Sequence, residues 1–162
     1  MTAKSVEVRR AETPQWLAQA PGFVVRKLYQ SYTAAWWRSV GTGLTGPQYA
    51  VLAVLEEHNG SDQISVGAAA ALDASTMVDV ARRLEGRSLI VRSRSPIDAR
   101  RKVVQITALG EAALAKTREQ VRPLDRELFA HAPRRRAEIM ADLDALSERW
   151  ADLVTELGSA QD

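Results

Sequence analysis

The side chains with the most chemical capacity in this sequence are cations, and they are gathered together. Between Arg82 and Lys102 stand eight Lys/Arg and two Asp/Glu, a local charge of +6, while the rest of the chain carries −4. A basic segment on a mildly acidic body is the outline of a site for a polyanion. A solvated basic surface would carry the same pattern. Bond-making chemistry has little to work with. The chain has no cysteine, which removes thiolate metal sites, disulfides and thiol switches together, and its two histidines, His58 and His131, are far apart. No nucleophile–base pair, glycine phosphate loop or ligand cluster is evident. No catalytic residue, metal or cofactor is therefore expected.

The cations fall on two adjoining elements. Leu89–Arg94 is β-branched and basic, and Val103–Ile106 is its expected partner strand. Residues 95–101 between them hold Pro96 and Asp98, suited to a hairpin tip longer than a tight turn. Arg92, Arg94, Arg100, Arg101 and Lys102 flank or occupy that tip. A projecting arginine fits a narrow minor groove, where the negative potential is enhanced. Asp98 would repel DNA if left alone. It either pairs with an arginine and holds the tip in shape or belongs to a surface pair worth under about 1 kcal/mol.

Upstream, two short helices are expected. One runs from about Val66 to Leu72 with Ser65 as its cap, and one follows Asp73-Ala74-Ser75 to roughly Ser88. Their short joint has the spacing of a helix-turn-helix. The second helix would enter the major groove led by Ser75 and Thr76. There, free backbone N–H groups and the helix dipole favour phosphate, and hydroxyls can reach bases. Ser75 serves equally as a plain N-cap. Arg82 and Arg83, late in that helix, are either contacts to the DNA backbone or cations favoured at any helix C-terminus.

The remaining elements must hold this reader. Residues 1–13 read as a flexible arm. Pro14 opens a short piece with Trp16 and Leu17, ended by Pro21-Gly22. A helix from about Phe23 to Val40 repeats Val25, Leu28, Tyr29, Tyr32 and Trp36 at three- and four-residue steps. Thr45 and Gln48 have capping-box spacing and Pro47 suits a first turn, so a helix runs to about His58, burying Tyr49, Val51, Leu52 and Leu55. Asn59–Asp62 reads as a turn. Thr107 caps a long helix to about Phe129, bent near Pro123. Pro133 opens a last helix reaching about Leu157, before Gly158. On it, Ile139, Leu143, Leu146, Trp150, Leu153 and Leu157 are spaced 4-3-4-3-4, a heptad seam too short to stand alone. A second copy is the symmetric partner; packing within one subunit would use the same stripe. No apolar run of about 18 residues exists, and Met1–Glu12 has no secretion signal. A cytoplasmic protein without membrane contact is expected.

Three stretches together resemble the MarR family of regulators: Leu84-Glu85-Gly86-Arg87-Ser88-Leu89-Ile90-Val91-Arg92, Asp98-Ala99-Arg100-Arg101, and Ile106-Thr107-Ala108-Leu109-Gly110. The order of elements matches over roughly residues 22–157. The resemblance implies a mainly α fold with a small β-hairpin: a winged helix-turn-helix at 45–107, flanked by helical dimerisation regions at 14–44 and 108–162. It implies a triangular homodimer that reads palindromic duplex DNA, with Asp98 bracing the wing and Arg100 in the minor groove. It implies a repressor released by small aromatic or phenolic acids. The family's effector cavity would draw on Arg26, Tyr29, Tyr32, Trp36, Trp37 and Tyr49, aromatic walls with a cation that suit a planar carboxylate. The same aromatics at helical spacing serve equally as core, and Arg26 as a surface charge. Two departures stand out. Ser88 replaces the family's usual glycine. Val78-Asp79 stands where a hydroxyl and then a polar or basic residue are usual. Asp79 would read cytosine, pair with a neighbouring arginine or weaken binding.

A winged-helix regulator of another family, or a helical interaction module whose basic hairpin meets a protein, are the competing readings. Arg100→Ala should lose much of the duplex affinity while the dimer survives. A gel-shift comparison with wild type checks this, and unchanged binding would contradict it.

Overall fold

A computed structural model describes residues 11–94 and 101–159. Most of the expected N-terminal arm, and the hairpin tip with Asp98 and Arg100, lie outside the described residues. The elements run α1 (Gln15–Ala18), α2 (Pro21–Ser39), α3 (Gly46–Glu57), β1 (Ser61–Asp62), α4 (Gln63–Ala69), α5 (Ala74–Gly86), β2 (Ile90–Arg94), β3 (Lys102–Ile106) and α6 (Ala108–Leu128). A 3-10 turn (Pro133–Arg135) then leads into α7 (Arg136–Ser159). The strands form one antiparallel sheet in the order β1-β3-β2.

Local chemistry accounts for most boundaries. The Thr45 hydroxyl accepts from Gln48 N at 3.3 Å, and the Gln48 side chain accepts from Thr45 N at 3.0 Å, completing the capping box that starts α3. Several expectations shift. Pro21 opens α2 at its first turn instead of closing α1. Asp62, not Ser65, caps α4: its carboxylate accepts from Ile64 N and Ser65 N, both at 3.1 Å. Ser61 and Asp62 form a third strand where a turn was expected, because the Asn59-Gly60 corner lies against β3. Gly60 N donates to Val104 O at 3.1 Å, and Ile106 N donates to Asn59 Oδ1 at 3.1 Å. α6 runs through Pro123, and α7 runs through Gly158.

α5 ends in a Schellman motif. Leu89 N donates to Leu84 O at 3.0 Å and Ser88 N to Glu85 O at 2.8 Å, with Ser88 at φ +56°. The left-handed region explains why glycine suits this position. Here serine takes the same turn against its steric cost. The next close approach sits at the start of α6. The Thr107 hydroxyl caps Gly110 N at 3.0 Å and donates to the Ser88 carbonyl at 2.8 Å. A Cβ on Gly110 would stand 2.1 Å from Leu89 O, so the sheet and α6 can meet only through glycine.

One core joins these parts. Leu44, Val51, Leu52 and Leu55 meet Val66, then Met77, Val80, Ala81 and Leu84 of α5, the sheet residues Ile90, Val104 and Ile106, and Leu114 of α6. A second cluster of Trp36, Val40, Val121 and Leu124 fastens α2 to α6, with Tyr49 packed against both clusters.

Two substitutions test the joints. Ser88→Gly should raise stability by about 1 kcal/mol by relieving the left-handed strain, read as a higher urea midpoint. Gly110→Ala should lower it by about 1–3 kcal/mol, because the clash with fixed backbone outweighs the helix-propensity gain of alanine. An unchanged or raised midpoint would contradict that.

Candidate nucleic-acid interface and adjoining cleft

The burial of α5 decides what each of its faces can touch. Met77, Val80, Ala81 and Leu84 point into the core. At about 100° per residue, that leaves Ser75, Val78 and Arg82 in an outward row, with Thr76, Asp79 and Arg83 on a second flank. All six except the half-buried Thr76 are exposed.

The leading end differs from expectation. Asp73 is the N-cap, accepting from Thr76 N at 2.9 Å. Its carboxylate also accepts hydrogen bonds from two nearby hydroxyls, Ser75 Oγ at 2.6 Å and Thr76 Oγ1 at 2.6 Å. These bonds, that from Ser75 foremost, hold the Asp73 carboxyl far below the usual carboxylate range. A fixed negative charge here works against phosphate binding at the helix start. The N-cap role considered for Ser75 belongs to Asp73. Farther along, Arg82 Nη2 lies 2.8 Å from Asp79 Oδ1, both side chains well exposed. Of the three roles open to Asp79, the pair with an arginine is formed.

The hairpin stands beside this helix. Arg92 is turned inward: its guanidinium donates to Glu85 Oε2 through Nε at 3.0 Å and also through Nη2, and its side chain is 15% exposed. Its Nη1 lies 3.5 Å from Gln63 Oε1. Arg92 thus ties β2 to α5 and α4. The bond from Arg92 lowers the Glu85 carboxyl from its ordinary value. Arg94, Arg101 and Lys102 are exposed at the end of the strands, where Arg94 pairs in register with Lys102.

On the other flank of α5 lies a cleft of about 640 Å³ between α2, α3 and the helix-turn-helix. Tyr29, Tyr32, Trp36, Trp37 and Tyr49 line it, and the α5 flank closes it with Thr76, Asp79, Val80 and Arg83. Trp36 is fixed by a 2.8 Å bond from Nε1 to Leu44 O and stacks at a tilt on Tyr32 and Tyr49, with centroids 6.0 and 5.6 Å away. Burial, and then the charge of Asp125, raise the Tyr32 phenol above its ordinary value. Arg26 is not part of the lining; its guanidinium lies 5.3 Å from the Phe23 ring centroid. The arginine at this cleft is Arg83, expected from the sequence as a DNA-backbone contact or a helix-end cation. The spacing of Thr76, Asp79 and Arg83, set against the buried positions of α5, was the available signal.

The seam residues of α7 stay on the surface. Leu143, Leu146, Leu153 and Leu157 are exposed, Trp150 is 41% exposed, and Ile139 is partly covered. α7 buries no residue in this chain, so the stripe is not spent on packing within one subunit. Among the described residues no group of three or more His, Asp or Glu could hold a metal ion, and no single helix is long and apolar enough to cross a membrane.

The MarR family profile matches residues 44–102. The transcriptional regulator HosA of Escherichia coli O111:H- is 37% identical over 91 residues, covering 56% of this chain and 67% of HosA. The ligand-bound PcaV regulator of Streptomyces coelicolor superposes with a TM-score of 0.75 at 32% identity, covering 88% of this chain and 98% of PcaV. The chain belongs to the MarR family. A further structural neighbour, BpsR of Bordetella bronchiseptica, has its DNA binding regulated by 6-hydroxynicotinic acid. It is 27% identical with a TM-score of 0.71, covering 78% of this chain and 97% of BpsR. This MarR-family chain is accordingly a transcriptional regulator, and its relatives are regulators, not enzymes.

Asp73 offers a pH test of the interface. Its folded carboxyl titrates below the unfolded one, so its contribution is complete above the ordinary carboxylate range and is lost as pH falls through the lowered folded value. Asp73→Asn keeps a capping oxygen. Because it loses the charge and the second acceptor that holds Thr76 Oγ1, it should lower the neutral-pH urea midpoint and flatten its acid-side decline. An acid-side slope equal to wild type would contradict the cap.

Proposed function

We propose that this chain is a cytoplasmic homodimeric repressor that binds palindromic duplex DNA and releases it on binding a small aromatic acid. The observation that carries the reading is the double use of α5. One flank faces outward beside the basic hairpin, and the other closes an aromatic cleft that holds Arg83. A rigid helix shared by two ligands couples them, because whatever tilts it for one changes its fit to the other.

On the DNA side, Ser75, Val78 and Arg82 enter the major groove, with Asp79 kept in its pair with Arg82. Arg94, Arg101 and Lys102, exposed at the end of the strands, meet phosphates. Arg92 acts through Glu85 by setting the angle of the wing, and Asp98 and Arg100 keep the wing-tip roles their sequence suggests. On the ligand side, Tyr29, Tyr32, Trp36, Trp37 and Tyr49 take the ring, while Arg83 takes the carboxylate with a charge-assisted bond. Arg26 is a surface charge in this reading. The dimer forms through Ile139, Leu143, Leu146, Trp150, Leu153 and Leu157, a stripe whose exposure in a lone subunit favours a second copy. The regions at 14–44 and 108–162 then dimerise, and 45–107 reads DNA.

Selection of bound duplexes from random DNA tests the whole. Enriched duplexes should be palindromic, with half-sites about 34 Å apart, and affinity should fall with salt at a log–log slope of about −0.9 per phosphate neutralised. Failure to enrich any duplex in dilute buffer would overturn the reading. Trp150→Asp should give monomer or unfolded chain in sedimentation, and an intact dimer would contradict the interface. By calorimetry, Arg83→Ala should weaken 4-hydroxybenzoate binding about tenfold or more, with Arg26→Ala near wild type. The reverse order would reassign the cation.

A further inference from the structure

The outward row of α5 also has a chemical pattern. A serine hydroxyl has one proton to give and lone pairs to receive with. The proton of Ser75 is committed to Asp73 at 2.6 Å, so toward solvent Ser75 presents an acceptor. One turn along stands Val78, 50% exposed, an apolar side chain amid Ser75, Asp79 and Arg82. Its neighbour Asp79 is occupied by Arg82, which leaves Val78 the unencumbered contact at the middle of the row. An exposed valine is unremarkable alone, but beside an oriented acceptor on a face opposed to DNA it makes a readable pair.

We propose that Ser75 and Val78 together read an A·T pair in each half-site, Ser75 accepting from adenine N6–H2 and Val78 packing on the thymine 5-methyl group. The proposal rests on the DNA-binding reading above. In the major groove, adenine and cytosine both offer an exocyclic amine, whereas only thymine carries the methyl. An acceptor next to an apolar group therefore selects A·T over C·G. Asp73 is the positioning residue: by accepting the hydrogen bond of the Ser75 hydroxyl it keeps that hydroxyl from donating to guanine O6 or to phosphate.

The test uses the full-length protein and a duplex it enriches from random DNA. Each thymine is replaced in turn by deoxyuridine, which removes only the methyl group. One thymine per half-site should then cost about three- to fivefold in affinity, the worth of one buried methyl. Val78→Ala, which suits a helix and should fold, should bind the thymine duplex more weakly and feel no further loss from deoxyuridine at that position. The adenine paired to that thymine, replaced by purine, should weaken wild type but not Ser75→Ala. The proposal is overturned if no deoxyuridine weakens wild type, or if Val78→Ala keeps the full penalty. It is also overturned if the purine penalty persists in Ser75→Ala. An absence of any enriched duplex would instead remove the DNA reading on which it stands.

Discussion

The rotation of α5 about its own axis is the constraint on which the rest of the molecule depends. Met77, Val80, Ala81 and Leu84 are buried, and a helix with four positions sunk in a close-packed core cannot turn without opening cavities worth several kcal/mol. Their placement dictates that Ser75, Val78 and Arg82 look outward and that Thr76, Asp79 and Arg83 look into the cleft. Neither face is formed by a loop free to adjust. Both are consequences of what the helix buries.

The surrounding contacts fix the same helix at each end. Asp73 caps its start and gathers the hydroxyls of Ser75 and Thr76. At its end, the Schellman turn at Ser88 returns the chain directly into the sheet, and Thr107 binds the Ser88 carbonyl before opening α6. Glu85 holds Arg92, so the hairpin inherits its bearing from the helix. Gly67, within α4, completes the arrangement: a Cβ there would meet Met77 Cγ at 3.0 Å, which brings α4 and α5 to close quarters. A displacement felt at Arg83 or Thr76 is therefore carried to the outward row and the wing by covalent and packed structure, with no separate relay.

Much of this was legible in the sequence. The capping box at Thr45, the hairpin strands and the helix at Ala108 follow from local chemistry, which needs only neighbours in the chain. Most of what could not be read depends on partners farther along the chain; the cap of α4 is the local exception. β1 exists because Ser61 and Asp62 lie against Val104 and Val103, and a two-residue strand has no period of its own. Asp62 displaced Ser65 as a cap because a carboxylate can accept from two amides at once. Arg92 looked like a DNA contact because its charge was visible and its partner Glu85, across a turn, was not. Arg26 and Arg83 exchanged places as the cleft's cation for the same reason: composition shows which residues are charged, and only the arrangement of α2, α3 and α5 around the cleft shows which of them reaches the aromatic walls.

The absence of native cysteine allows the central claim to be measured residue by residue. Single cysteines at positions 75, 78 and 82 report the outward row, and one at Glu111, on α6, serves as a control. The account predicts that a saturating selected duplex slows thiol labelling at the three α5 positions by about tenfold or more and leaves position 111 unchanged. Equal labelling with and without duplex at 75, 78 and 82, under conditions where the duplex is bound, would contradict it.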